Sequence, residues 1–222
     1  MREIVLDTET TGLDPDLGHR MVEIAGIELF NHLPTGKHFH RYLNPERAMT
    51  AEAEAIHGLT DEFLMRHPVF DTIADELIEF LGDATLVIHN AEFDLKFINA
   101  ELKRQNRPPL ACPVVDTLAL ARKRFPGAQA SLEALCRRFA IDLTQREKHG
   151  AKIDGELLAL VYLELIGGRQ PGLEFIAQAT GAGRLPAAER PPRAARPHAA
   201  SAAELASHAA LLAKLKQPQW LG

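Results

Sequence analysis

Ile4-Val5-Leu6-Asp7-Thr8-Glu9-Thr10-Thr11-Gly12 is the stretch whose reading decides the fold. An apolar run ends in two acids, and polar turn residues follow. Successive side chains of a strand alternate faces, so Asp7 and Glu9 project together. Two carboxylates in one small volume repel each other unless a divalent cation neutralises them, and hard oxygen ligands suit magnesium or manganese. The competing reading is a strand end running into the turn Thr10-Thr11-Gly12, with two acids that happen to be exposed.

Two further segments repeat the theme. Leu86-Val87-Ile88 followed by His89-Asn90-Ala91 reads as a strand, a turn and a helix start, with Asp94 in the first helical turn. A structural reading stands beside it: Asn90 is a good N-cap, and an acid in the first turn complements the helix dipole. In Lys148-His149-Gly150-Ala151-Lys152-Ile153-Asp154 the glycine suits a turn, and the apolar helix of Leu157, Leu158, Val161 and Leu165 follows. Taken singly, His149 reads as a solvated loop residue and Asp154 as a helix-stabilising acid.

Hydrophobic spacing supplies the frame. Strands are expected at about 3–8, 21–30 and 37–43, the last two joined by a Pro34-Thr35-Gly36 turn, which makes an antiparallel meander. Ile73, Leu77, Ile78 and Leu81 predict a helix over 70–81, before a strand at 85–89 and a helix at 91–106 closed by Pro108-Pro109. Val114-Val115 is a short strand leading to a helix at 116–124, with Asp116 as its N-cap. Helices at 131–140 and about 152–167 complete the pattern, the last ending in Gly167-Gly168. Strands interleaved with helices make this α/β, with the acids at strand ends and helix starts, where such sheets place their sites.

The order Asp-x-Glu, then Asp at an aromatic-bearing helix start, then His-x4-Asp resembles the DEDDh 3′-to-5′ exonucleases. Among them it is most similar to the proofreading subunits of bacterial replicative polymerases. The matching segments are Ile4 to Gly12, Ile56-His57-Gly58, Leu86 to Asp94 and His149 to Asp154, within roughly the first 175 residues. The resemblance implies a ribonuclease H-like mixed sheet flanked by helices. It also implies two divalent cations, Mg2+ or Mn2+, about 3.5–4 Å apart at the terminal phosphodiester. Asp7, Glu9 and Asp154 would be direct ligands, with Asp94 completing the site directly or through water. His149 would be the general base and must then be neutral. By family position Thr10, Glu52, His57, Asn90 and Phe93, with Asp7, Glu9 and Asp154, would hold the terminal nucleotide of a single-stranded or frayed DNA 3′ end. For His57, a turn residue before Gly58 is the rival reading. Two other functions remain open: an oligoribonuclease-like enzyme acting on short RNA, and a tether whose site is idle.

At 222 residues and 46% hydrophobic content, with no long apolar run, the chain reads as a globular protein able to bury a sizeable core. With no signal peptide or membrane span in view, and only Cys112 and Cys136 present, a reducing cytoplasmic compartment is expected. The net charge is −5, divided into −9 for residues 1–175 and +4 for 176–222. So acidic a catalytic region cannot present a broad phosphate-binding face, and weak DNA binding by itself is expected.

The exonuclease domain is expected to span 1–169. In Gln170-Pro171-Gly172-Leu173-Glu174-Phe175, Gln170, Leu173 and Phe175 look like the short motif by which family members bind the sliding clamp. Leu173 and Phe175 packing onto the domain is the alternative. Residues 176–200 read as a flexible linker; 181–200, with seven Ala, four Arg and four Pro, would span about 25 Å as a coil. Within 201–222, Leu205, Leu211, Leu212 and Leu215 have helical spacing. Trp220 and Leu221, beside Gly222, read as an interface anchor. The resemblance implies that this tail docks on the polymerase catalytic (alpha) subunit and raises the local concentration of the exonuclease at the primer end. The alternative is a disordered tail with incidental helix propensity.

Overall fold

The computed structural model describes residues 1–144, 146, 148–167 and 200–214. Strand β1 (Arg2–Thr10) pairs antiparallel with β2 (Met21–Phe30), which pairs in turn with β3 (Leu33–Tyr42). On its other side β1 pairs parallel with β4 (Thr85–Ile88), and β4 with β5 (Val114–Asp116), giving the order β3-β2-β1-β4-β5. The mixed sheet follows from chain connections. A ten-residue loop joins β1 to β2 and a two-residue turn joins β2 to β3, whereas β4 and β5 each arrive after helices, as parallel strands require.

Alternation along β1 assigns the two faces. Ile4 and Leu6 belong to one apolar core with Ile73, Leu77 and Leu81 of α3 (Phe70–Leu81) and with Phe97, Ile98 and Leu102 of α4 (Ala91–Arg104). Val5 belongs to a second core with Ala121 of α5 (Thr117–Arg124), Leu135 of α6 (Leu132–Arg138), and Leu158 and Val161 of α7 (Ala151–Leu165). The sheet is therefore covered by helices on both faces, as the α/β reading requires. Two short helices, α1 (Ala51–His57) and α2 (Asp61–Leu64), fill a stretch where the sequence shows no clear period.

Three local expectations are corrected. The hairpin turn between β2 and β3 is Asn31-His32, with φ of 50° and 67°, not Pro34-Thr35-Gly36. A two-residue turn with both central residues left-handed continues the twist of its strands. Pro34 and Gly36 instead lie in edge strand β3, opposite a register irregularity between Ile27 and Leu29, and an edge tolerates a missing donor. Helix α4 stops at Arg104, with Asn106 left-handed at φ 57°, so it ends before the Pro108-Pro109 pair. Asn90 occupies the N-cap position of α4 in the left-handed region, φ 67° and ψ 57°, without a side-chain capping bond. Its backbone N–H donates to Asp116 Oδ1 at 3.1 Å. The expected cap at Asp116 is present: the same oxygen accepts from Leu118 N at 2.8 Å.

The chain divides into two units, Met1–Glu174 and Phe175–Gly222. In the second, α8 (Ala202–Leu212) carries a capping box between Ser201 and Glu204. Among the described residues, no helix is long and apolar enough to cross a membrane.

Candidate active site

Asp7 and Glu9 leave β1 on the face that α7 covers, because they share the parity of Val5. Thr8 points to the opposite face, where its Oγ1 donates to Asp94 Oδ1 at 2.7 Å and fixes the first turn of α4. The β1–β2 register shifts between Glu9 and Thr10. Such an irregularity re-aims the backbone and ends regular pairing where a site begins.

Helix α7 brings the fourth acid. Its N-cap, Gly150, has no side chain to offer, and the carboxylate of Glu23 on β2 takes that place, accepting from Ala151 N at 3.1 Å. The other oxygen of Glu23 pairs with His40 Nε2 at 2.7 Å. This buried bridge sets the start of α7 against β2, and Asp154 in the first turn then faces the acids of β1. Asp94 and Asp154 are buried, while Asp7 and Glu9 are partly exposed.

The electrostatic consequence is severe. Burial, then the neighbouring Asp94 and Glu9, holds the Asp7 carboxyl well above the carboxylate range. Burial and the charges of Glu23, Asp154 and Asp94 push Glu9 up to about 8. Burial pushes Asp94 up to about 7 against the stabilising bond from Thr8. Carboxyls this reluctant to ionise mark a site with too little positive charge for its acids. Oxygen atoms of Glu9 and Asp154 and a ring nitrogen of His149 lie within 4.8 Å of one another, the spacing of a metal-binding group. The carboxylate oxygens fit a divalent cation.

His149 stands at the rim with its side chain half exposed. Its Nδ1 is 3.4 Å from Asp154 Oδ2 and 3.1 Å from Arg146 Nη2. Burial first, and then the Arg146 guanidinium, lowers its pKa, which favours the neutral ring that a base requires. Arg146 also grips Asp154 through two bonds of 2.5 and 2.7 Å.

Asp7, Asn90, His149 and Asp154 line one cleft of about 580 Å³. His57, the last residue of α1, is buried and lines an adjoining cavity of about 440 Å³ that His149 shares. Its Nδ1 accepts from Leu59 N at 3.0 Å, so the neutral ring carries its proton on Nε2. Thr10 Oγ1 is engaged by the Gly12 carbonyl at 2.6 Å, and Phe93 leans on Phe97 with ring centroids 5.1 Å apart. Glu52 is exposed on α1. Gln170, Leu173, Phe175, Trp220 and Leu221 lie outside the described residues.

Sequence reading missed Arg146 and Glu23. A basic residue three places before His149 was visible but had no partner until the loop closed onto Asp154. Glu23 became legible only through register, which sets it opposite Glu9.

Carboxylates converging from both faces of a mixed sheet, with a histidine at the rim, make a site for divalent-cation-assisted hydrolysis. Comparison with known proteins agrees. Residues 4–162 match the exonuclease family model. The DNA polymerase III subunit epsilon of Rickettsia prowazekii is 53% identical over 180 residues, covering 79% of this chain and 79% of that protein. The Escherichia coli subunit is 47% identical over 176 residues, covering 76% and 72%. The nuclease domain of 3′hExo, a DEDDh family member solved with rAMP, shares the fold at TM-score 0.65 and 19% identity, covering 74% of this chain and 91% of that one. The chain belongs to the exonuclease family and, within it, to the DNA polymerase III epsilon subunits.

Proposed function

We propose that Asp7, Glu9, Asp94 and Asp154 hold two divalent cations, Mg2+ or Mn2+, and that His149 accepts the proton of the water that attacks the terminal phosphodiester of a DNA 3′ end. The chain is a 3′–5′ exonuclease, and as an epsilon subunit it removes mismatched nucleotides behind the replicative polymerase. The observation that carries the residue roles is the close approach of four carboxyls, Asp7 and Asp154 lining the cleft, with burial holding up the pKa of Asp7, Glu9 and Asp94 and neighbouring acids adding to it at Asp7 and Glu9. When bound, the cations supply the charge that offsets the phosphate and acidifies the attacking water.

The protein's own groups do the rest. Thr8 holds Asp94, Glu23 sets the start of α7, and burial and then Arg146 lower the pKa of the imidazole. Asn90 lies against the terminal nucleotide in the cleft, with His57, Phe93, Thr10 and Glu52 around it. Backbone and stacking contacts of this kind accept any base, as removal of any mismatched nucleotide demands.

Gln170, Leu173 and Phe175 bind the sliding clamp, residues 176–200 act as a tether, and Trp220 and Leu221 bind the polymerase alpha subunit in the bacterial cytoplasm at the replisome. Phe175→Ala should weaken binding to purified clamp and spare the polymerase, and Trp220→Ala should do the reverse. Loss of neither contact would remove these assignments.

The decisive experiment is nucleotide release from a mismatched primer–template, with magnesium or manganese, by the intact chain and by Asp7→Ala. Release by the intact chain alone supports the roles, and equal release by both overturns them. Short RNA in a parallel reaction separates this activity from an oligoribonuclease, which would prefer it.

A further inference from the structure

Two guanidinium groups line the catalytic cleft, Arg146 and Arg122. Arg146 is committed to Asp154. Arg122 stands exposed in the last turn of α5. The other arginines of α5 and α6 have structural partners: Arg124 donates to the carbonyls of Glu164 and Leu165, Arg137 pairs with Glu133, and Arg138 lies over the Phe125 ring at 4.5 Å. Arg122 makes no hydrogen bond or ion pair among the described residues. Complementing the carboxyl end of a helix explains a cation in this turn, and Lys123 and Arg124 already meet that need. It does not explain a guanidinium lining the same cleft as Asp7 and Asp154.

The charge distribution points the same way. Residues 117–138 carry five Lys or Arg against one Glu, within a region, residues 1–175, that carries 19 against 28. Positive charge gathers on one helix pair beside the site of an otherwise acidic domain, where it favours anions near the cleft. The scissile phosphate is met by the cation-binding carboxylates. A 3′ end has no phosphate beyond its terminal sugar, so any further phosphate reaching the cleft lies on the 5′ side. A guanidinium offers that group a planar, bidentate match.

We infer that Arg122 binds a backbone phosphate of the strand on the 5′ side of the scissile bond, and that α5 and α6 form the track along which the single strand enters. This rests on the cleft being the exonuclease site. The test compares two substrates with the full-length chain. Single-stranded DNA has upstream phosphates, whereas the p-nitrophenyl ester of thymidine 5′-monophosphate has only the reacting one. Arg122→Ala should raise KM for DNA roughly tenfold, the scale of one charge-assisted hydrogen bond, with kcat unchanged and ester hydrolysis at the wild-type rate. The slope of log(kcat/KM) against log salt should fall by about 0.7, the value of one single-strand phosphate contact, and Arg122→Lys should restore it. Equal loss on both substrates, or no loss on either, overturns the inference while leaving the exonuclease in place. A wild-type chain inert toward both substrates would instead remove the exonuclease reading beneath it.

Discussion

Helices α7 and α8 invert what local sequence would lead one to expect. Helix α8 has a complete capping box and buries none of its residues. Helix α7 starts at a glycine with no side-chain cap of its own, yet buries nine of its fifteen residues, Leu157, Leu158 and Val161 among them. Its missing cap comes from Glu23, 128 positions away in the chain. A cap contributes about 1 kcal/mol, whereas burying one large apolar side chain contributes about 1.5–3 kcal/mol. Tertiary contact therefore fixes α7, and a fixed α7 can deliver Asp154 to a defined position. Local preference shapes α8, none of whose residues is buried.

The contrast should be sharpest in activity. Asp154→Ala should lower nucleotide release by roughly 10³-fold or more, given that metal-held charge contributes several kcal/mol to such transition states. Leu205→Ala in α8 should leave release unchanged when the isolated chain acts on free primer DNA. A comparable loss from both would mean that the tail contributes to the site itself.

Stability should divide in the same way. Phe97, fully buried beneath the sheet, should lose about 3–5 kcal/mol on truncation to Ala, read from urea unfolding. Leu205→Ala should stay within about 0.5 kcal/mol, as for an exposed position. Equal shifts would show that α8 is packed in solution.

The acid cage predicts a response to pH and metal that α8 cannot have. Glu9 and Asp94 have folded-state pKa values raised to about 8 and about 7. Their contribution to stability is fully present below the ordinary carboxyl range and is lost as pH rises through those values. The metal-free Tm should fall between mildly acidic pH and pH 8, and magnesium should raise it more at pH 8 than at pH 6, because binding there displaces fewer protons. A magnesium effect independent of pH would count against carboxylate ligation.

The smallest effect concerns His149. With its pKa lowered by burial and by Arg146, kcat/KM should rise with pH to a plateau through a midpoint below about 6.5, the unperturbed histidine value. A profile flat across that range would remove His149 as the base.

Much of this was legible beforehand. Apolar runs and period-2 spacing placed the strands, and the 3.6-residue period placed the long helices, because burial rewards a repeat that matches the element. The turn at Asn31-His32 was hidden by the more conspicuous Pro34 and Gly36, which an edge strand accommodates. Asn90 was read as a capping side chain, but its left-handed backbone instead points its N–H at Asp116. The roles of Thr8, Glu23 and Arg146 were invisible, since each depends on which residue lies across a sheet or loop.

By itself the sequence determined the α/β class and the identity and order of the five chemical groups, Asp7, Glu9, Asp94, His149 and Asp154, because residue type and local spacing are properties of the chain. The tertiary structure decided that four carboxyls from two faces of one sheet would come close enough to raise one another's charge cost, with Asp7 and Asp154 opening onto the cleft. It decided that Glu23 would cap α7, that Arg146 would be taken up by Asp154, and that Arg122 would remain on the cleft wall. Those outcomes turn on strand register and helix docking, and a carboxylate's charge acquires its energetic weight only when folding has chosen its neighbours and removed its water.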